Sequence, residues 1–295
     1  MTIQSIQMTY FSGTGGVRRI VDAFEQECTR RGVTVCRNDL DHSKDRQHRR
    51  QPEADPAGAD LVVLFFPVHA FDAPKPVYTW IDRTCFDGRP VAVISVSGGG
   101  EAWPNTGCRD ACCKAIETKG GRVTYERMLC MPSNWTTEVN DHLAMHLLLA
   151  IPRKVNLVLD EILAGKVRRT PARLDPLRSA ITRLEKEHTA DFPRQIRIDE
   201  KCTGCGICES HCPVENIHLS AGRPVFSNAC IMCFRCIYAC PAHAMQTNNF
   251  MVLKKGYDLR KVEERMQGVE LEPVEKCARG LLWGAVRDYL LDREK

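Results

Sequence analysis

The chain has 295 residues, 43% hydrophobic and 26% charged, with sixteen cysteines and a formal net charge of +4. This composition excludes a disordered or fibrous polypeptide and leaves room for two globular domains. No signal peptide is expected, because Met1–Thr9 runs straight into a strand pattern. No membrane span is expected either: the most apolar stretch, Leu143–Leu163, is interrupted by His146, Pro152, Arg153 and Lys154. Many cysteines without an export signal imply a reducing compartment, the cytoplasm.

Residues 1–165 alternate between strand and helix patterns. Strands are predicted at Ile3–Tyr10, Val33–Arg37, Asp60–Phe66, Val91–Ser97 and Arg122–Met128. Helices are predicted at Val17–Arg31, Lys75–Cys85, Thr106–Lys119 and Val139–Ala164. The pattern implies an α/β fold, a parallel sheet covered on both faces and doubly wound by right-handed crossovers. The basic run Lys44, Arg46, Arg49 and Arg50 has no aromatic neighbours for base stacking. It reads as a solvated loop, or alternatively as a docking patch for an acidic partner, and no nucleic-acid partner is expected.

The loop after the first strand reads Phe11-Ser12-Gly13-Thr14-Gly15-Gly16-Val17. Its glycines let backbone N–H groups turn inward, Ser12 and Thr14 add hydroxyls, and the following helix N-terminus favours an anion. It lacks the lysine of a Walker loop and the spacing of a dinucleotide fingerprint. A monophosphate such as FMN fits better than ATP or NAD. Two more loops follow predicted strands, Pro67-Val68-His69-Ala70-Phe71 and Ser97-Gly98-Gly99-Gly100. All three lie at carboxyl ends of strands, where this architecture binds ligands.

With these three loops in order, residues 3–165 resemble flavodoxin, which implies FMN contacts at Ser12–Val17, Pro67–Phe71 and Ser97–Gly100. The resemblance is incomplete, since Gly16 stands where flavodoxins carry Asn, and Val17 replaces a polar residue. The alternative is a flavodoxin-like scaffold that has lost its flavin. Phe71 and Trp103 are candidates for an apolar wall against the ring, and His69 for tuning its charge. Cys108, Cys112 and Cys113 read as buried small hydrophobes rather than a further metal site. No hydrolytic set of side chains converges.

Residues 166–195 carry Pro171, Pro176 and a charged helical stretch, Leu177–Thr189, the pattern of a helical linker. Then comes one pattern written twice: Cys202-x2-Cys205-x2-Cys208-x3-Cys212-Pro213 and Cys230-x2-Cys233-x2-Cys236-x3-Cys240-Pro241. Three thiolates at x2 intervals face one cubane, and the fourth reaches a second. Cys202, Cys205, Cys208 and Cys240 should hold one [4Fe–4S] cluster, and Cys230, Cys233, Cys236 and Cys212 the other. Zinc sites do not call for the third cysteine or the Cys-Pro endings, and disulfides need an oxidising compartment. Each loaded cluster with its thiolates carries roughly −2, which brings the loaded chain close to neutral. Residues 196–250 resemble a bacterial dicluster ferredoxin. Residues 251–295 read as two helices, Asp258–Gln267 and Pro273–Arg293, with Leu281, Leu282, Val286, Tyr289 and Leu290 as an apolar stripe packed on the body.

The order of the two halves resembles fused flavodoxin/ferredoxin proteins of anaerobic prokaryotes. The resemblance implies an electron-transfer protein relaying low-potential electrons between FMN and two clusters to a partner redox enzyme. Two alternatives stay open: a flavin-dependent reductase of a small substrate fed by the clusters, and a redox-sensing adaptor with a non-functional flavin site.

Overall fold

The computed structural model describes residues 3–41, 43, 58–135, 138–171 and 175–293. The basic run Lys44, Arg46, Arg49 and Arg50 lies outside them. The first half comprises β1 (Ser5–Tyr10), α1 (Gly16–Arg30), β2 (Thr34–Asp39), β3 (Leu61–Pro67), α2 (Lys75–Arg83), β4 (Pro90–Ser97), α3 (Asp110–Thr118), β5 (Arg122–Cys130) and α4 (Asp141–Leu163). The strands form one parallel sheet in the order β2-β1-β3-β4-β5. This is the flavodoxin-like doubly wound order, whose switch point lies between β1 and β3.

The central strand shows why the sheet sits between two helical layers. Leu61–Phe66 is an unbroken apolar run, buried along its length. Period-two alternation sends Leu61, Val63 and Phe65 to one core, with Ile20 and Phe24 of α1 and Leu147 and Val155 of α4. It sends Val62, Leu64 and Phe66 to the other, with Val77 and Ile81 of α2 and Cys112, Cys113 and Ile116 of α3. The buried Cys112 and Cys113 are therefore packing residues, and burial raises both thiol pKa values. Asn140 caps α4 by accepting the Leu143 N–H at 2.9 Å.

The linker helix α5 (Pro176–Asp191) begins with Asp175 as its cap, 2.8 Å from the Arg178 N–H. It is fastened to the first half: Arg178 donates to the Gly107 carbonyl at 2.7 Å and pairs with Asp110 at 2.8 Å. The cysteine-rich part adds β6 (Arg197–Ile198), α6 (Ile207–Ser210), β7 (Ile217–Ser220), β8 (Arg223–Phe226), α7 (Arg235–Tyr238) and β9 (Met245–Gln246). Here β6 pairs with β9 and β7 with β8, both antiparallel.

The C-terminal segment corrects one expectation. Instead of one helix from Pro273 to Arg293, there are two, α9 (Val274–Cys277) and α10 (Gly284–Leu290), after α8 (Leu259–Arg265). The break falls at Gly280, whose φ of 85° no continuing helix adopts. The expected stripe divides after the short turn Leu281–Trp283 that follows. Val286, Tyr289 and Leu290 are buried against the core that contains α4, whereas Leu281 and Leu282 are exposed. No helix among the described residues is long and apolar enough to cross a membrane.

Candidate functional site

The loops at the carboxyl ends of β1, β3, β4 and β5 surround a cavity of about 420 Å³, within the size range of cofactor sites. Gly13, Thr14, Gly16, Val17, Pro67–Phe71 and Ser97–Gly99 line it. Ser12 and Gly15 face the cleft on the other side of the first loop. Gly100 departs from expectation. Its left-handed turn (φ 72°) carries it under α10, where an added Cβ would stand 3.0 Å from the Ala285 Cβ.

In the first loop, Gly15 takes the N-cap position of α1 with φ 97°, and Ser12 Oγ accepts the Arg18 N–H at 3.2 Å. At Gly16 a Cβ would stand in ordinary contact, 3.5 Å from the Tyr257 hydroxyl and 3.8 Å from the Met131 Cβ. The loop after β5 reaches the first loop as well, where Asn134 Nδ2 donates to Thr14 Oγ1 at 2.9 Å. The loop Met131–Trp135 resembles the fifth-strand loop of flavodoxins fused to ferredoxins, but the sequence does not show what Asn134 bonds, and it gives no sign of Tyr257, because their partners lie in distant parts of the chain.

The second loop holds Ala70 (φ 50°) and Phe71 (φ 57°) in left-handed backbone without being glycine, a strain that concentrates at functional loops. His69 and Asp72 close it through two backbone hydrogen bonds of 2.9 and 3.0 Å. Asp72 also accepts from the Tyr78 hydroxyl at 2.6 Å and pairs with Lys186 of α5 at 2.5 Å. Burial lowers the His69 pKa to about 4, outweighing a backbone hydrogen bond at Ile231, so the ring is neutral near pH 7. Its Nδ1 is buried without a partner among the described residues. Phe71 meets Trp135 edge-on, with ring centroids 6.4 Å apart. Trp103 lies at the mouth with Leu281 and Leu282, and its indole N–H donates to Asp175 at 2.8 Å.

The third loop is set by Ser97 Oγ, which accepts from the Gly99 N–H and Asn105 Nδ2, both at 3.1 Å. Beneath it, the fully buried Arg109 bonds Ser95 at 2.7 Å, Thr170 at 2.8 Å, Glu126 at 3.3 Å and also Glu101. This network pins both ends of the loop.

The eight repeat cysteines divide into two quartets around two small cavities. Cys202, Cys205, Cys208 and Cys240 line one, and Cys212, Cys230, Cys233 and Cys236 the other. The exchange of the fourth cysteine between repeats is thus present in the fold. Among the described residues, no three His, Cys, Asp or Glu side chains close on a single ion position; the thiols line wider spaces. Backbone N–H groups of Asn216, Met232 and Ala244 donate to the sulfurs of Cys212, Cys230 and Cys240 at 3.2–3.3 Å. Burial pushes the Cys230 thiol up to about 12 and raises Cys208, Cys233 and Cys236. Iron ligation must therefore displace protons. Soft thiols grouped in fours, bonded by N–H donors, fit iron–sulfur clusters.

The second quartet touches the flavodoxin-like part. Ile231, Met232 and Phe234, which alternate with its cysteines, form a wall of the 420 Å³ cavity. A Cβ on Gly13 would stand 3.4 Å from the Cys233 Cβ. The first repeat has Gly204 (φ 68°) and Gly206 (φ 77°) where the second has Met232 (φ 53°) and Phe234 (φ 61°). Left-handed backbone costs these side-chain-bearing residues about 1–2 kcal/mol each. Both are buried, in a cluster with Phe192 and Met251, so the second repeat accepts strain where it builds the wall.

Residues 194–241 match the family described as a 4Fe-4S dicluster domain. No curated protein matches the chain. Among solved structures, general stress protein 14 of Treponema denticola in complex with FMN is similar at 11% identity and TM-score 0.41, over 55% of this chain and 99% of that one. Fusobacterium nucleatum flavodoxin bound to FMN is similar at 14% identity and TM-score 0.35, over 55% and 99%. Two-electron reduced Megasphaera elsdenii flavodoxin is similar at 19% identity and TM-score 0.33, over 42% and 84%.

Proposed function

We propose that the chain relays electrons between FMN in the 420 Å³ cavity and two [4Fe–4S] clusters in the cysteine quartets, and onward to a partner redox protein. One observation carries this reading: the loop bearing Cys230, Cys233 and Cys236 is also a wall of the cavity. When bound, FMN supplies a two-electron store and the clusters supply one-electron carriers. Gly13, Thr14, Gly16 and Val17, the first-loop residues that line the cavity, would receive the phosphate. Pro67–Phe71, Ser97–Gly99 and Trp135 enclose the ring and exclude water. The four thiols of each quartet hold one cluster. The second quartet is the inner one, beside the cavity. The first is the outer one, with Cys205 exposed, and it faces the partner. On this reading residues 1–165 form the flavin domain, 166–195 the linker, 196–250 the ferredoxin module and 251–295 an extension that covers the cavity mouth.

Purification without oxygen tests the composition. About eight iron, about eight sulfide and one FMN per chain are expected; full iron with no FMN, even after FMN is added, refutes the flavin half. A flavin-dependent reductase is the second reading, favoured because His69, Phe71 and Trp103 line one cavity. The cavity volume suits one cofactor-sized ligand, which favours the relay. Turnover of a small substrate with no protein acceptor would reverse that preference.

A further inference from the structure

Arg235 stands between Cys233 and Cys236, at the first residue of α7, and the first repeat has Ile207 in the corresponding place. Its side chain leaves the cysteine module and crosses to the first loop of the cavity. Nε donates to the Gly13 carbonyl at 2.5 Å, and Nη2 to the Ser12 carbonyl. Nη1 donates to Asp41 Oδ2 at 2.6 Å, Ser43 Oγ at 3.0 Å and the His211 carbonyl at 3.1 Å. The Arg235 side chain is 12% exposed and that of its partner Asp41 2%. One rigid fork thus joins the loop after β1, the chain after β2 and the end of α6.

In a planar trans peptide, a carbonyl and the next N–H point in opposite directions. Holding the Ser12 and Gly13 carbonyls turns the N–H groups of Gly13 and Thr14 away from Arg235. These are N–H groups that the first loop offers to an anion. Arg235 reaches the Ser12 and Gly13 carbonyls from a loop that holds left-handed turns at Met232 and Phe234, and ligation of the flanking cysteines is what secures such a loop.

We infer that Arg235 is a positioning residue for the phosphate loop, and that it makes FMN retention depend on the loaded inner cluster. The inference rests on the reading of the cavity as an FMN site. It joins two cofactor sites that the sequence presents as independent modules.

The test uses the full chain purified without oxygen, as wild type, Arg235→Gln and Arg235→Lys. Iron and sulfide are counted, and affinities for FMN and for riboflavin, which lacks the phosphate, are read by fluorescence titration. Arg235→Gln is expected to keep wild-type iron and sulfide, to lose FMN affinity on the order of tenfold, and to bind riboflavin as wild type does. Arg235→Lys should recover part of the loss. Stripping iron with a chelator also loosens the cavity wall, so it should lower both affinities; in wild type FMN should lose on the order of tenfold more than riboflavin, whereas in Arg235→Gln the two should fall by equal factors. Asp41→Asn removes the ion-pair partner without touching the cysteine loop, and should show the same split between FMN and riboflavin. Wild-type FMN affinity in both Arg235→Gln and Asp41→Asn, or equal losses for FMN and riboflavin, overturns the positioning role. Unchanged FMN affinity in iron-stripped wild type, or equal losses there for FMN and riboflavin, overturns the coupling. A wild type that binds no FMN removes the underlying flavin reading instead, and this inference with it.

Discussion

Gly98→Ala is the sharpest probe of how the cavity is built. A Cβ on Gly98 would stand 2.5 Å from the Ser133 Cβ and 2.7 Å from its Cα. The Cα belongs to the backbone, so no rotamer change of Ser133 relieves the contact. The loops after β4 and β5 must move apart, at an overpacking cost of about 1–3 kcal/mol. Both loops line the cavity, so FMN affinity should fall along with the urea midpoint. Gly99→Ala is the control: its Cβ would meet the Asn105 amide nitrogen at 3.3 Å, the end of a side chain that can turn. Gly98 lines neither cysteine cavity, so iron content should stay at wild type in both variants. The assay compares urea unfolding, read by far-ultraviolet circular dichroism, with FMN titration. Equal stability and equal FMN affinity in Gly98→Ala and Gly99→Ala would refute the steric reasoning.

Arg109→Met should lower the urea midpoint by the equivalent of about 1–3 kcal/mol, because it strips buried hydrogen bonds from Ser95 and Thr170 and leaves Glu126 with Arg169 alone as its ion-pair partner; a change below about 0.5 kcal/mol, the scale of an exposed pair, would speak against the network. Gly100→Ala should displace α10, since the residue combines φ 72° with a 3.0 Å approach to Ala285; faster iodide quenching of bound flavin would report the opened mouth. Chelating the iron should unfold the cysteine module, which has only small two-stranded sheets of its own, while far-ultraviolet circular dichroism retains the signal of the parallel sheet. Cys233→Ala should abolish electron exchange between flavin and clusters, whereas Cys205→Ala, at the outer quartet, should leave flavin exchange with the inner cluster in place; stopped-flow absorbance separates the two.

The sheet was legible because its signals are local. An apolar run such as Leu61–Phe66 and the helical periodicity of Val17–Arg31 each span only a few residues. The cysteine quartets were legible because ligand spacing is itself a geometric constraint. What the sequence hid was docking. Arg235 reaches Gly13 across 222 residues, and Asn134 reaches Thr14 across 120; no periodicity encodes either pair. A charged Arg235 between two ligand cysteines, where the first repeat has the apolar Ile207, is a signal that could have singled it out. The division of the C-terminal apolar stripe was missed because its positions keep a helical spacing although they face different surroundings, Leu281 to solvent and Val286 to the core.

The proposed relay requires that flavin and inner cluster exchange electrons within one chain. The direct measurement is anaerobic stopped-flow: the FMN-loaded protein is mixed with a one-electron reductant, and the flavin and cluster bands are followed over a range of protein concentrations. The two bands should equilibrate at a rate independent of protein concentration. A rate that rises in proportion to protein concentration, or reduced clusters that never equilibrate with the flavin, would contradict it.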